Sequence, residues 1–274
     1  MIELPTLTRL RLPGHSRCLS SIQMGFLLSF AIGICRSPLA LAQESQKEHP
    51  LIPAIKLTQQ SQAVLNQVQD YEATLIKRER VKGQLLAQRI FMKLRPRPFS
   101  VYMKFEEPHA GREVLYVHGK NNNQLAVHEA SGLTAIVGTV NLDPASPTAM
   151  AENRHPITHV GMHNMLAMLL EQWELESKYG EIDVQYYPNA KLGNAECEVI
   201  EVTHPRPRKQ FNYHKTRLYL EKQSRLPIRI ENYDFPRTEG ERPPLAEEYT
   251  YLNVKANIGL TDADFDQGNP KYNF

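Results

Sequence analysis

Cysteine is scarce in this sequence. There are three in 274 residues, and two of them, Cys18 and Cys35, fall within the first 42. With that stretch removed Cys197 stands alone, which excludes an internal disulfide and leaves the fold to be held by its core. Long apolar runs are missing as well: Met24 to Ile34 is shorter than the ~20 residues of a membrane-spanning helix. A dominant charge is missing too. Without residues 1–42 the 32 basic and 30 acidic residues become 28 and 29, a balance that gives no compositional reason to expect a nucleic-acid partner. The local signatures of catalysis are absent: there is no Gly-x-Ser-x-Gly, no phosphate-cradling glycine loop and no cysteine set beside a fixed histidine. The acidic pairs Glu106-Glu107 and Glu247-Glu248 diverge by strand alternation, so they do not make a general acid and base. An enzyme is therefore not expected, and neither is a cofactor.

The N-terminus reads as a targeting segment. Arg9, Arg11 and Arg17 precede the apolar run, and Ala40-Leu41-Ala42 offers a small-x-small cleavage site before Gln43. The competing reading, a retained anchor, is disfavoured by the shortness of that run, and Ile34 before Cys35 disfavours a lipidation site. Residues 1–42 are thus expected to be a cleaved export signal and residues 43–52 a flexible leader. A single domain is expected over 53–274, working outside the cytoplasm, in a periplasm or its equivalent.

Helical spacing of Leu57, Val64, Leu65 and Val68 after Pro53 predicts an amphipathic helix, with Ser61, Gln62, Asn66 and Gln69 mostly toward water. From Tyr71 the period changes to two. A hairpin turns at Lys82-Gly83, and further strands are expected around Phe99–Phe105, Leu115–Val117, Leu125–Val127 and Leu133–Val140. Ile90, Met92 and Leu94 share one face, as do Phe99, Val101, Met103 and Phe105, and Leu115, Val117, Leu125 and Val127 are read as continuing it. Ser100, Tyr102 and Lys104 are expected on a wet opposite face. A second helix is predicted over His159–Glu176, and strands return from Ile182 to Val254, with Leu260–Phe265 a turn capped by Thr261. The expected fold class is α+β and mostly antiparallel β: a curled half-barrel of about ten strands covered by two helices.

The runs Tyr71-Glu-Ala-Thr-Leu-Ile-Lys-Arg-Glu-Arg, Pro98-Phe-Ser-Val-Tyr-Met-Lys-Phe, Gly111-Arg-Glu-Val-Leu-Tyr-Val and Phe265-Asp-Gln-Gly-Asn-Pro-Lys-Tyr-Asn-Phe resemble a bacterial family of exported proteins known as domain of unknown function 1571. That family is similar in fold to the periplasmic lipoprotein carriers LolA and LolB and to the sensor RseB. The resemblance implies a half-barrel closed by helices over a lipid-binding hollow, and it assigns no catalytic residues.

The apolar face of the sheet admits two readings, a packed core or a hollow, and the resemblance favours the hollow. Its expected lining is Ile90, Met92, Leu94, Val101, Met103, Phe105, Leu115 and Val117 from the sheet, with Leu166, Leu169 and Leu170 from the second helix. Burying roughly fourteen methylenes at about 0.8 kcal/mol each gives about 11 kcal/mol gross. The expected ligand is a lipid or an acylated protein, carried or sensed by a monomer, with an envelope protein complex as a further partner and no nucleic acid. The alternative is a structural or interaction module of the envelope with a filled core.

Charged residues divide similarly. Arg112 and Glu113 must face opposite sides of a strand, so one of them points inward, to contact a head group or latch a lid, unless the two form a rim ion pair. Lys77, Arg78, Arg80, Lys82, Arg89, Lys93, Arg95 and Arg97 read as a solvated outer face with some attraction to a lipid surface. His155, His159 and His163 lie four apart, yet Val160 occupies the place of the glutamate in His-Glu-x-x-His and no third ligand is evident. No metal site is expected there, and solvent-facing or helix-capping roles are. Cys197, on one strand face with Val199, reads as a small buried hydrophobe.

Overall fold

Tyr71–Val81 (β1) and Gln84–Pro96 (β2) form a long hairpin at the middle of the sheet. Their turn places Lys82 at φ 50° and Gly83 at φ 85°, the backbone that a two-residue hairpin demands. The computed structural model describes residues 48–274, so the signal segment expected over 1–42 lies outside the described residues. Beyond the hairpin follow Phe99–Glu107 (β3), Glu113–Val117 (β4), Leu125–His128 (β5) and Val140–Leu142 (β6). After a crossing helix come Asp183–Leu192 (β7), Ala195–Thr203 (β8), Lys215–Glu221 (β9), Pro227–Tyr233 (β10) and Leu245–Ala256 (β11).

All eleven strands join one antiparallel sheet in the order β6-β5-β4-β3-β2-β1-β11-β10-β9-β8-β7. The chain works outward from β1 to one edge, crosses to the other edge at β7, and returns until β11 pairs with β1. The edges β6 and β7 do not meet, so the sheet is a half-barrel, α+β in class, as its alternation predicts. The strand expected over Leu133–Val140 is instead a 3-10 turn, Leu133–Val137, followed by the three-residue β6. Gly132 and Gly138, at φ 83° and 78°, bracket that turn and prevent an extended run.

Two helices cover the concave face. The first, Leu51–Leu65 (α1), starts two residues before the expected Pro53. It buries Leu51, Ala54, Ile55 and Leu65, together with Ser61, which was expected to face water. The Ser61 hydroxyl donates to the Arg225 carbonyl at 2.7 Å, so the buried oxygen is satisfied. The second, Met162–Glu176 (α2), buries Met162, Met165, Leu166, Leu169, Leu170 and Trp173 against the sheet and α1. It begins three residues later than expected because Ile157–His159 is a separate 3-10 turn and Gly161 stands at φ 103°, ψ 156°. A Cβ at Gly161 would lie 2.5 Å from Leu94 Cδ1 and 3.0 Å from the Tyr71 hydroxyl. That hydroxyl accepts a bond from the Met162 N–H at 3.0 Å, pinning α2 to β1. Among the described residues no helix is long and apolar enough to cross a membrane.

The convex face is not uniformly wet. Tyr102, Leu115, Val117 and Ala126 form a second apolar cluster with Phe265, and Leu260, Tyr272 and Phe274 pack over it. Tyr102 and Tyr272 stack with centroids 3.9 Å apart. The C-terminal segment is fixed by Asp70, whose carboxylate accepts the N–H groups of Ile258, Gly259 and Leu260. Thr261 and Asp264 form the capping box of Asp262–Phe265, so the predicted cap at Thr261 is present. Lys93 pairs with Asp264 at 2.6 Å and Arg95 with Asp262 at 2.8 Å, so these cations hold the segment rather than face open solvent.

Candidate functional site

Pleating sends alternate residues of each strand to the concave side, and towards one end of the sheet these residues change from apolar to polar. On β1 the concave row runs Ala73, Leu75, Lys77, Glu79, and on β11 it runs Tyr251, Tyr249, Glu247. Asn232 of β10 and Thr216 of β9 continue the polar band. Helix α1 packs against α2 and shares a filled core with the sheet residues Met92, Leu94 and Val101, all fully buried. Over the polar band and the neighbouring apolar strands the cover is α2 and the loop from Leu142 to Gly161. Between this cover and the sheet lies a cavity of about 460 Å³, within the size range of small-molecule sites.

The cavity has two ends of different character. Ile90, Met103, Phe105, Val114, Leu125, Val127 and Leu142 from the sheet face Val160, Met165, Met168 and Leu169. Facing inward from the other end are Lys77, Glu79, Asn153, His155, Tyr213, Asn232, Glu247 and Tyr249. A hollow is therefore present beneath one helix, and its polar side extends well beyond the single inward charge expected at Arg112 or Glu113. A filled core describes the α1 half and does not describe the α2 half.

Of the residues expected to line the hollow, Ile90, Met103, Phe105, Leu169 and Arg112 do so. Met92, Leu94, Val101, Leu166 and Leu170 are instead interior packing and do not reach the cavity. Leu115 and Val117 are corrected outright. Met103 pairs with Val114 and Val101 with Tyr116, which puts Leu115 and Val117 on the convex face beneath the C-terminal segment. Residues that sequence reasoning missed include Val114 on β4, Met165 and Met168 on α2, and the polar floor.

That floor is organised around Glu247. Its Oε2 accepts from Arg154 Nε (3.0 Å) and His155 Nε2 (2.8 Å), and its Oε1 from Tyr213 (2.8 Å) and Asn232 (2.8 Å). Burial acts to raise the Glu247 pKa, but the His155 bond and charge, with the Asn232 and Tyr213 bonds, outweigh it and hold the carboxyl at about 2. The same bond raises His155 above its ordinary value, against the effect of burial. Glu79 accepts the Arg154 backbone N–H at 2.9 Å and the Tyr249 hydroxyl. Lys77, placed by expectation on a solvated outer face, points inward at 9% exposure and contacts Asn153 and, at 3.4 Å, Glu79. Burial lowers its pKa, with Glu79 partly offsetting.

Arg112 and Glu113 do split between the two faces. Arg112 reaches the cavity rim and pairs with Glu129 (2.7 Å) and Glu152 (3.3 Å), its guanidinium 5.4 Å from the Phe105 ring centre. His155 and His159 line the cavity, while His163 Nε2 contacts the Leu65 carbonyl at 2.9 Å, so the three do not share a helix face. Among the described residues no three His, Cys, Asp or Glu side chains are grouped to hold a metal. Cys197 is fully buried, and burial pushes its thiol pKa up.

Fold and cavity together define a class: an open antiparallel half-barrel that keeps an amphipathic chamber beneath one helix. Within that class the chain belongs to the DUF1571 family of proteins of unknown function, whose model matches residues 68–274. No curated protein matches the sequence. Among solved structures it is similar to the lipoprotein LppX of Mycobacterium tuberculosis, at 12% identity over 78% of this chain and 100% of that one, with a TM-score of 0.46. A domain from Vibrio parahaemolyticus described as a putative outer membrane lipoprotein-sorting protein is 13% identical over 77% and 95%, TM-score 0.36. A LolA superfamily protein of Nitrosomonas europaea is 14% identical over 77% and 96%, TM-score 0.31. The likeness is one of strand and helix arrangement.

Proposed function

We propose that this protein binds an amphiphile, a lipid or the acylated segment of a protein, in the cavity between the sheet and α2, as a carrier or sensor without chemistry of its own. One observation carries the reading: about 460 Å³ of space under α2 is apolar at one end and hydrogen-bonding at the other. Flexible Met103, Met165 and Met168 suit an alkyl chain of no fixed shape. Each methylene buried there contributes about 0.8 kcal/mol, so tail burial supplies affinity without a charged contact. The basic lead-in and small-x-small site of the first 42 residues support export, and so a protein acting outside the cytoplasm.

The test is displacement of a fluorescent fatty acid from the full chain, compared with Val127→Trp, which fills the apolar end. The wild type binds the probe and the filled variant loses it while keeping its melting temperature. Equal binding by both, or none by the wild type, would sink the reading.

A further inference from the structure

Resting on the amphiphile reading above, the geometry points to an oxyanion subsite at the polar end of the cavity, formed by Lys77 and His155, both of which line it. It takes the carboxylate or phosphate head of an acyl amphiphile. Lys77, His155 and, outside the lining, Arg154 are set against two carboxylates, Glu79 and Glu247. Both oxygens of each carboxylate already accept hydrogen bonds from the wall. Glu247 accepts two bonds on each oxygen, so a cationic head finds an open acceptor only at Glu79 Oε1, which takes the Tyr249 hydroxyl alone.

Donor capacity is what remains. Lys77 has three N–H groups and its wall partners are Asn153 and Glu79. Arg154, which does not line the cavity, uses Nε on Glu247 and Nη1 on the Arg80 carbonyl and so holds Glu247 in place. His155 uses Nε2 on Glu247, which leaves Nδ1. The other carboxylates lining the cavity are engaged elsewhere: Arg112 takes Glu129 and Glu152, His109 approaches Glu152 at 3.4 Å, and Glu176 accepts from Gln172 at 2.6 Å with His204 at 3.3 Å. Burial lowers the Lys77 pKa and Glu79, at 3.4 Å, only partly offsets this, so an arriving anion adds a second oxyanion partner to a buried ammonium. The tail of such a ligand lies against Ile90, Met165 and Leu169, beside the subsite in the same cavity.

The test is calorimetric titration of the full chain with four probes that share a dodecyl tail, each below its micelle-forming concentration: laurate, dodecyl phosphate, dodecyl maltoside and dodecyltrimethylammonium. Charge-assisted hydrogen bonds predict that both anions bind at least about ten-fold tighter than the other two. The preferred anion identifies carboxylate or phosphate as the head. Lys77→Gln and His155→Gln, two independent variants in case one fails to fold, each shrink the ratio of anion to maltoside affinity toward one. Equal affinity for all four heads, or tightest binding of the ammonium, overturns the subsite and leaves the amphiphile reading standing. Binding of no probe overturns both.

Discussion

Arg112 and Glu113 are consecutive residues that serve opposite sides of one sheet. The Arg112 guanidinium closes the cavity rim with Glu129, whereas the fully buried Glu113 carboxylate accepts the backbone N–H of Asn273 at 3.0 Å and its side-chain amide at 2.8 Å. Lys104 completes the Glu113 site at 3.1 Å. The cavity wall and the latch of the C-terminal segment are therefore built from the first residue of β4 and the residue before it.

Glu113→Ala removes the acceptor that Asn273 and Lys104 share, and is expected to cost about 1–3 kcal/mol in urea unfolding. Amide exchange across residues 258–274 should rise at the same time. Arg112→Ala, at the partly open rim, should cost no more than about 1 kcal/mol and leave that exchange unchanged. Unaltered exchange in Glu113→Ala would show that the latch lies elsewhere.

Gly161→Ala should destabilise by about 1–3 kcal/mol, because φ 103° with ψ 156° is a region that essentially only glycine occupies. The added methyl also meets Leu94 and the Tyr71 hydroxyl. Tyr71→Phe removes the bond to the Met162 N–H while keeping the ring, and should cost about 1 kcal/mol. Thermal unfolding of the two variants checks the order, and a neutral Gly161→Ala would contradict the pinning of α2.

Leu166→Ala and Met168→Ala separate the packed part of the interior from the open part. Leu166 is fully buried and its truncation should cost about 2–5 kcal/mol. Met168 is 39% exposed at the cavity, and its truncation should stay within about 1 kcal/mol. Comparable losses in denaturant unfolding would mean that the space beneath α2 is not open.

The floor network makes stability depend on pH in two windows. The Glu247 carboxyl falls from an ordinary 4.5 to about 2 in the folded chain. Its contribution is present above pH 4.5 and is lost as pH falls toward 2, an effect on the order of 3 kcal/mol. His155 has a raised folded pKa, so its contribution is complete below 6.5 and fades as pH rises through the folded value. Urea midpoints across pH 2–9 should show the Glu247→Gln deficit shrinking on the acid side and the His155→Gln deficit shrinking on the alkaline side. Deficits that stay constant with pH would contradict these assignments.

Much of the fold is legible in the sequence because alternation, turn glycines and the Thr261 cap are local signals. The β1–β2 hairpin and the capped Asp262–Phe265 turn lie where those signals put them. The parity of β4 was not legible. Val114, Leu115, Tyr116 and Val117 are all buried, since the cavity side and the C-terminal segment each demand apolar partners, and alternation then carries no mark of which face is which. The inward role of His155 was not legible either: the three histidines read as solvent-facing or helix-capping, but His155 precedes the Ile157–His159 turn and reaches Glu247, His159 ends that turn, and His163 lies in α2. The polar floor did leave a trace. Lys77 and Glu79 alternate with Arg78 and Arg80, but only the pairing of β1 with β11 shows that the inner pair faces Tyr249 and Glu247.

The most direct measurement is native mass spectrometry of the chain recovered from the compartment of the cells in which it resides, followed by organic extraction. The account predicts one amphiphile per chain, released on extraction and missing from Val127→Trp. A bare chain that also takes up no dodecyl-tailed ligand when one is supplied would contradict it.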